Sequence, residues 1–350
     1  MYFAVIDCGT TNSRVYIVNG KKEIIGKASK KVGVRDTAIQ GSNDVLKAGL
    51  KETFLEAVQD AGLKLPNINF AISSGMITSE IGLLEIPHLW APVSTDDLAR
   101  NIKEVKDVNI FPLDLPVFFI RGIKNKYDIE TSTLTDVGKL DFMRGEETQV
   151  TGFLSTQDFN LPLTFIVLSS HTKYISVNEK EQIMGSITTL SGQVYEAIIK
   201  ESTISKSIRK TDNFDDSNYF NREIIENAYY WVQEGGFLRT MVMPRFLDVL
   251  LKTTWYERKL FVKATIAAED MNAINQFERF NFPKNTDFII IGSNDKRCKI
   301  HKYLLQTKLN ISKKINIISN TKSIDMLSVN GTIEIAERAG YISKGSSLHI

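Results

Sequence analysis

Two cysteines in 350 residues, Cys8 and Cys298, are too few for a disulfide framework, and no paired spacing suggests zinc. A reducing cytoplasm fits this usage. An excess of one charge is missing too: 43 basic and 41 acidic residues leave a formal net charge of +2. That balance gives no electrostatic reason to expect nucleic acid or an anionic membrane as partner, so a small molecule is expected instead. No stretch approaches roughly 18 uninterrupted apolar residues, and Met1 leads straight into a short strand-like run with no basic and apolar leader. The expectation is a chain neither secreted nor membrane-spanning, and low-complexity segments are lacking as well. What is present is apolar content: with 43% hydrophobic residues, a chain of this length exceeds what one core usually serves and is expected to form two domains.

The opening segment "YFAVIDCGTTNSRVYIVNG" places an apolar run, Tyr2 to Ile6, ahead of Asp7 and a Gly-Thr-Thr-Asn turn. Arg14 to Val18 then reads as a second strand, because it is β-branched and aromatic. A dinucleotide or P-loop site would send such a turn into a helix. Here Asn19-Gly20 signals a tight hairpin, and "KEIIGKA" supplies a third strand. Beyond it, Ser42-Asn43-Asp44 can cap a helix whose Val45, Leu46, Leu50, Phe54, Ala57, Val58 and Ala61 recur at helical spacing until Gly62. "INFAISSG" reads as a strand that runs to an exposed turn.

"LTFIVLSSHTKYISVNEKEQIMGS" repeats that opening architecture roughly 160 residues later: strand, polar turn with threonine, strand, and an Asn-containing hairpin. "EQIMGS" echoes "EIIGKA". Duplicated α/β halves with a boundary near residue 155 follow. The second half continues with a helix-rich stretch from Asn221 to Phe280, the strand "DFIIIGSN", a helix through "KIHKYLLQT", the strand "INIIS" and a small-residue helix, "NGTIEIAERAG", stopped by Gly340. "FNFPKN" and "DFNLPL" read as surface connections.

Asp7 is a carboxylate of the kind that holds hydrated Mg²⁺, an ion bound through one or two carboxylates plus phosphate oxygens. Gly9 lets backbone N–H groups approach an anion, and Thr10, Thr11 and Asn12 add donors. A polar hairpin turn is the plainer explanation of the same residues. In "MRGEETQVTGF", Arg144, Glu146 and Glu147 surround a glycine ahead of an apolar segment, which suits an active-site turn. One carboxylate would accept a hydroxyl proton while the other binds substrate or metal; a Glu-Glu pair is also common as surface charge. His171 and Lys173 lie on the second loop, and His171 is assigned to phosphate or substrate contact rather than base chemistry. Gly292, Ser293 and Asn294 could admit a nucleotide to the backbone or simply cap the next helix.

"IDCGTTNSR", "SGMITSEIGLLEIPHLWAPVS", "MRGEETQ", "LSSHTKYISV" and "IIIGSN", in this order across nearly the whole chain, resemble the actin-like ATPase superfamily of sugar kinases. More narrowly they are similar to the 2-dehydro-3-deoxygalactonokinase family, with "MRGEETQ" the most specific. The resemblance implies an α/β fold of two ribonuclease-H-like (actin-like ATPase) domains around an ATP cleft. Residues 1–155 would form an N-terminal lobe with the first phosphate loop and sugar site, and residues 156–350 a C-terminal lobe with the second phosphate loop and adenosine site. It implies Asp7, Gly9, Thr10, Thr11 and Asn12 on the first phosphate loop, Ser170, His171 and Thr172 on the second, and Gly292 with Ser293 near adenosine. By similarity Glu147 is the base and Glu146 the alternative, and Gly75 and Met76 contact substrate. Arg144, and second to it Arg35, would meet a substrate carboxylate. Three positions depart from the family's usual pattern: Cys8 replaces an aromatic residue, Ser169-Ser170-His171 replaces Pro-Gly-Thr-His, and Arg121 stands where proline is common. The implied activity is ATP- and Mg²⁺-dependent phosphorylation of the terminal hydroxyl of a 2-dehydro-3-deoxy-aldonic acid. Two alternatives stand beside it: a kinase of another sugar or sugar acid, and a nucleotide- or sugar-binding regulator without turnover. A homodimer is left open.

Overall fold

The computed structural model describes residues 1–311 and 313–343. These residues form two compact units: 1–159, 178–185 and 325–343 make the first, and the described residues of 160–177 and 186–324 the second.

In the first unit, β1 (Tyr2–Cys8), β2 (Ser13–Asn19) and β3 (Ile24–Lys30) form an antiparallel meander. Helices α1 (Val34–Gln40) and α2 (Asp44–Asp60) follow. Strand β4 (Ile68–Gly75) then joins β1 in parallel. Next come β5 (Leu89–Trp90), α3 (Thr95–Arg100), β6 (Lys103–Val105), β7 (Val117–Phe119), β8 (Ile123–Lys124), β9 (Phe142–Met143) and α4 (Glu146–Thr156). The main sheet has the order β3-β2-β1-β4-β7-β6, with β5-β8-β9 as a small separate sheet. Helix α2 buries Leu46, Leu50, Phe54, Ala57 and Val58 in the core, whereas the expected Val45 is 40% exposed. Gly26 lets β3 pass close to that helix, since a Cβ there would stand 2.6 Å from the Ala57 carbonyl oxygen.

The second unit repeats the plan with β10 (Leu163–Leu168), β11 (Thr172–Val177) and β12 (Ile183–Thr189). Helices α5 (Ser191–Glu201), α6 (Ile204–Ile208), α7 (Arg222–Gly235), α8 (Phe237–Val249), α9 (Trp255–Asp270) and α10 (Asn272–Asn275) are followed by β13 (Asp287–Ile291), α11 (Asp295–Thr307) and β14 (Ile315–Ile318). The sheet order is β12-β11-β10-β13-β14, with β10, β13 and β14 parallel. Both sheets thus place a meander beside parallel strands in the order 3-2-1-4, the arrangement of ribonuclease-H-like, actin-like ATPase domains.

The repeat extends to its turns. Asn19 Oδ1 accepts from the N–H groups of Lys21 and Glu23 (2.9 and 3.0 Å), and Asn178 Oδ1 accepts from those of Lys180 and Gln182 at the same two distances. The left-handed residue is Lys22 (φ 65°) in one and Glu181 (φ 56°) in the other. The hairpin expected at Asn19-Gly20 forms, its loop held by the asparagine side chain.

The last described helix, α12 (Thr321–Arg338), starts earlier than the small-residue pattern indicated. Asn320 Oδ1 accepts from the Ser323 N–H at 3.1 Å and caps it. Residues 325–338 are counted in the first unit. There a Cβ on Gly331 would fall on the Thr148 carbonyl oxygen, and one on Gly152 would fall on that of Leu327. Helices α4 and α12 therefore cross at backbone contact. Gly331→Ala is expected to force them apart, lowering stability by about 1–3 kcal/mol. Thermal melting checks this against Gly138→Ala, where no atom stands within 4 Å of an added Cβ.

Candidate active site

In an open α/β sheet, ligands bind beyond the carboxyl ends of the parallel strands. Asp7 lies at that end of β1, opposite Ser74 of β4. Its Oδ2 accepts from Arg14 Nη1 at 3.1 Å, and Arg14 also approaches Asp325 at 3.8 Å. Burial holds the Asp7 carboxyl above the ordinary aspartate range against the opposing charge and hydrogen bond of Arg14, and Asp325 adds to the rise. The turn after Asp7 is closed by the Gly9 N–H donating to the Asn12 carbonyl at 2.9 Å. The carbonyls of Gly9 and Thr10 face α1, accepting from the N–H groups of Val34 (3.3 Å) and Arg35 (2.9 Å). Gly33 permits this, because a Cβ there would stand 2.5 Å from the Thr10 oxygen. Thr11 Oγ1 accepts from Asn12 Nδ2 at 3.0 Å. Arg35 thus sits beside the first loop, with its side chain exposed.

Gly75 (φ 89°) ends β4 with the space of its missing side chain turned toward the Cys8 carbonyl and Asp7 Oδ1, which would stand 2.6 and 3.6 Å from a Cβ there. Gly145 (φ 106°) lies against Gly75, 3.4 Å from such a Cβ to the Gly75 Cα. Asp7, Gly75 and Gly145 are brought together in this way. From Gly145, α4 begins, so "GEETQ" is a helix start rather than the expected open turn. Glu147 is fully buried there, and both its carboxylate oxygens lie 2.8 Å from the Gly145 N–H. Burial, then the neighbouring Glu146 charge, pushes the Glu147 carboxyl up to about 8. Glu146 is half-buried. Met76 packs against the first unit's core.

The two Nη atoms of Arg144 are committed: Nη1 donates to Thr78 Oγ1 at 2.6 Å, and Nη2 to the Ile86 carbonyl at 2.7 Å with His88 Nδ1 at 3.4 Å. It braces residues 78–88 beneath the site.

In the second unit, Ser169 and Ser170 are exposed, His171 is half-buried, and Thr172 is fully buried. The Thr172 hydroxyl lies 2.5 Å from Ser191 Oγ and 3.3 Å from Asp270 Oδ2. Arg297 Nη1 donates to the Ser169 carbonyl at 2.9 Å, and Nη2 to Thr172 Oγ1 and Ser191 Oγ at 2.5 and 2.6 Å. Buried Asp270 also accepts from Thr189 Oγ1 at 2.5 Å and pairs with His301 Nε2 at 3.1 Å. Sequence reasoning missed this network. Its only local signal is His301, one histidine on the apolar face of α11, which reads equally as core. Gly292 is buried at the end of β13, where a Cβ would meet Leu168 Cβ at 2.9 Å; Ser293 is exposed, and Asn294 Oδ1 caps α11 by accepting from the Arg297 N–H at 3.0 Å.

No described helix is long and apolar enough to cross a membrane. Among solved structures, a candidate 2-dehydro-3-deoxygalactonokinase from Sinorhizobium meliloti superposes with a TM-score of 0.72 at 14% identity, covering 99% of both chains. A probable 2-dehydro-3-deoxygalactonokinase of Rhizobium meliloti is 22% identical over 213 residues, 61% of this chain and 61% of that relative's own length. The 2-keto-3-deoxy-galactonokinase family profile matches residues 7–309. The chain belongs to the 2-keto-3-deoxy-galactonokinase family.

Proposed function

We propose that this chain is an ATP-dependent kinase that phosphorylates the terminal hydroxyl of a 2-dehydro-3-deoxy-aldonic acid, 2-dehydro-3-deoxygalactonate giving its 6-phosphate. The observation that carries the reading is Glu147, a buried carboxyl raised to about 8 beside the strand end that bears Asp7, in a chain of this family. A general base works best when its pKa lies near the working pH. Glu147 would take the proton of the sugar hydroxyl as its oxygen bonds to the terminal phosphorus and the bond to ADP breaks, with Glu146 the alternative base. Phosphoryl transfer asks the protein mainly for positioning and charge stabilisation. The loop at Gly9, Thr10, Thr11 and Asn12, with its carbonyls turned away toward α1, suits phosphate oxygens; Ser170, His171 and Gly292 are the corresponding proposals in the second unit.

Asp7 suits Mg²⁺ as a hard oxygen donor with a side chain 26% exposed. When bound, Mg²⁺ would neutralise charge on the phosphates. Asp7 would hold it, in exchange for part of its bond to Arg14. Buried, unpaired thiols at Cys8 and Cys298 and the use of ATP suit a cytoplasmic setting.

Glu147→Gln is expected to lower kcat by about 10²- to 10⁴-fold with the Kd for ATP unchanged; wild-type kcat in this variant would remove Glu147 from the base role. In the wild type, kcat should climb with pH to a plateau above about 8, where the carboxyl is ionised. Stability should move the other way. The folded chain keeps the Glu147 proton up to about 8, whereas the ordinary value is 4.5, so this stabilising contribution is complete below the lower value and lost as pH rises through the higher. Melting curves between pH 5 and 9 should show a smaller decline in Glu147→Gln. Asp7→Asn should steepen the dependence of turnover on Mg²⁺ concentration, read by ADP release. Wild-type protein that binds ATP but releases no ADP across a panel of keto-deoxy acids and neutral hexoses would favour the regulator instead.

A further inference from the structure

Arg121 is the first residue beyond the buried Ile120, whose N–H donates to the Ser73 carbonyl at 2.9 Å, so it leaves the sheet at the same carboxyl edge as Asp7 and Gly75. It is half-buried. Its Nε is buried without a hydrogen-bond partner, and among the described residues its guanidinium has no ion pair. That is costly unless something fills the gap, because a buried donor left unmade forfeits its full desolvation energy. The neighbouring Gly122 explains the placement: a Cβ there would stand 2.6 Å from Arg144 Cγ and 2.8 Å from His88 Cδ2. The chain therefore runs directly over the strand that leads to Gly145 and Glu147. Of the other arginines near this edge, Arg14 is bonded to Asp7, and Arg144 already spends both Nη atoms on Thr78, Ile86 and His88.

We infer that Arg121 recognises the carboxylate of the sugar-acid substrate. The planar guanidinium fork matches a carboxylate with two parallel hydrogen bonds. A site that leaves such a donor unpaired rejects the ligand lacking that group. Arg121 thus takes the role that the sequence pattern gave to Arg144 and Arg35, and Arg144 becomes the brace under it. The identity of the ligand rests on the kinase reading above.

The test uses Arg121→Leu and Arg121→Lys beside the wild type, by calorimetric binding and by ADP release. The probes are 2-dehydro-3-deoxygalactonate, its neutral counterpart with hydroxymethyl in place of carboxylate, and ATP. Arg121→Leu should weaken Kd and KM for the acid about 10- to 100-fold, leave the neutral ligand and ATP unaltered, and be partly rescued by Arg121→Lys. Melting temperature should hold, since Leu keeps an apolar stem there and among the described residues no hydrogen bond or ion pair of the arginine is lost; a structural arginine would lower it. Unchanged affinity for the acid, equal weakening for both sugars, or weakening confined to ATP would each overturn the inference. A wild type that binds the acid selectively without releasing ADP defeats the kinase reading while the Arg121 comparison still reads out. A wild type that binds neither sugar defeats both.

Discussion

Gly152 and Gly331 bring the backbones of α4 and α12 to a separation that a single methyl group would prevent. Glu147 and Asp325, at the first unit's strand end, are placed from that crossing. It fixes the axis of α4, whose first turn carries Glu147, and lays α12 where Asp325 can meet Arg14. Further along, Lys22 pairs with Glu337 (2.8 Å), Arg338 with Asp96 (3.0 Å), and Tyr341 stacks on Phe118 with centroids 4.0 Å apart. Held this firmly, a carboxyl can be kept away from water. A looser helix would tilt Glu147 toward solvent and let its pKa fall back to the ordinary glutamate range.

The two units share strand order and hairpin chemistry but secure their turns differently. The first loop is held by main chain, with α1 amides bonded to its carbonyls. In the second, the side chain of Arg297 binds the Ser169 carbonyl and the Thr172 hydroxyl, and Gly192 packs against the carbonyls of Ser169 and Ser170. Residues expected to make a flexible glycine turn are absent there, and a buried network of Asp270, His301, Thr189 and Ser191 gives the rigidity instead. Such a network is favourable only when its members are satisfied. Asp270 meets that condition with partners on both oxygens.

Legibility in the sequence followed the range of the interaction. The meanders, the strand Ile68–Gly75 and the α2 stripe are carried by spacing within a few residues, so alternation and turn residues revealed them. Val45 misled because it adjoins the buried stripe but lies on its outer flank. The start of α12 was hidden, because its cap Asn320 stands well ahead of the small-residue run. Of the site, Asp7, Gly75 and Glu147 were visible as motif residues. The partnerships made by the fold were not: Arg14 of the Asp7 pair also approaches Asp325, and in the second unit Thr172 meets Asp270. The commitment of Arg144 to Thr78 and Ile86 was equally invisible, since a surface arginine and a bracing one read alike in one dimension.

The discontinuous make-up of the first unit has a consequence for how the chain matures. Residues 1–159 cannot complete their packing until residues 325–343 exist, because Gly331, Glu337 and Tyr341 supply contacts to Gly152, Lys22 and Phe118. At roughly 5–20 residues per second, a ribosome needs on the order of 10–40 seconds to make the intervening chain. During that interval the nascent first unit leaves the α12-facing side of α4 and the rings of Phe70 and Phe118 uncovered. Pairing across so long a separation also carries a loop-closure entropy cost that grows with the length of the intervening chain. The second unit, interrupted only by residues 178–185 of the first, has its whole chain made before residues 325–343 exist, so the order of assembly runs against the order of synthesis.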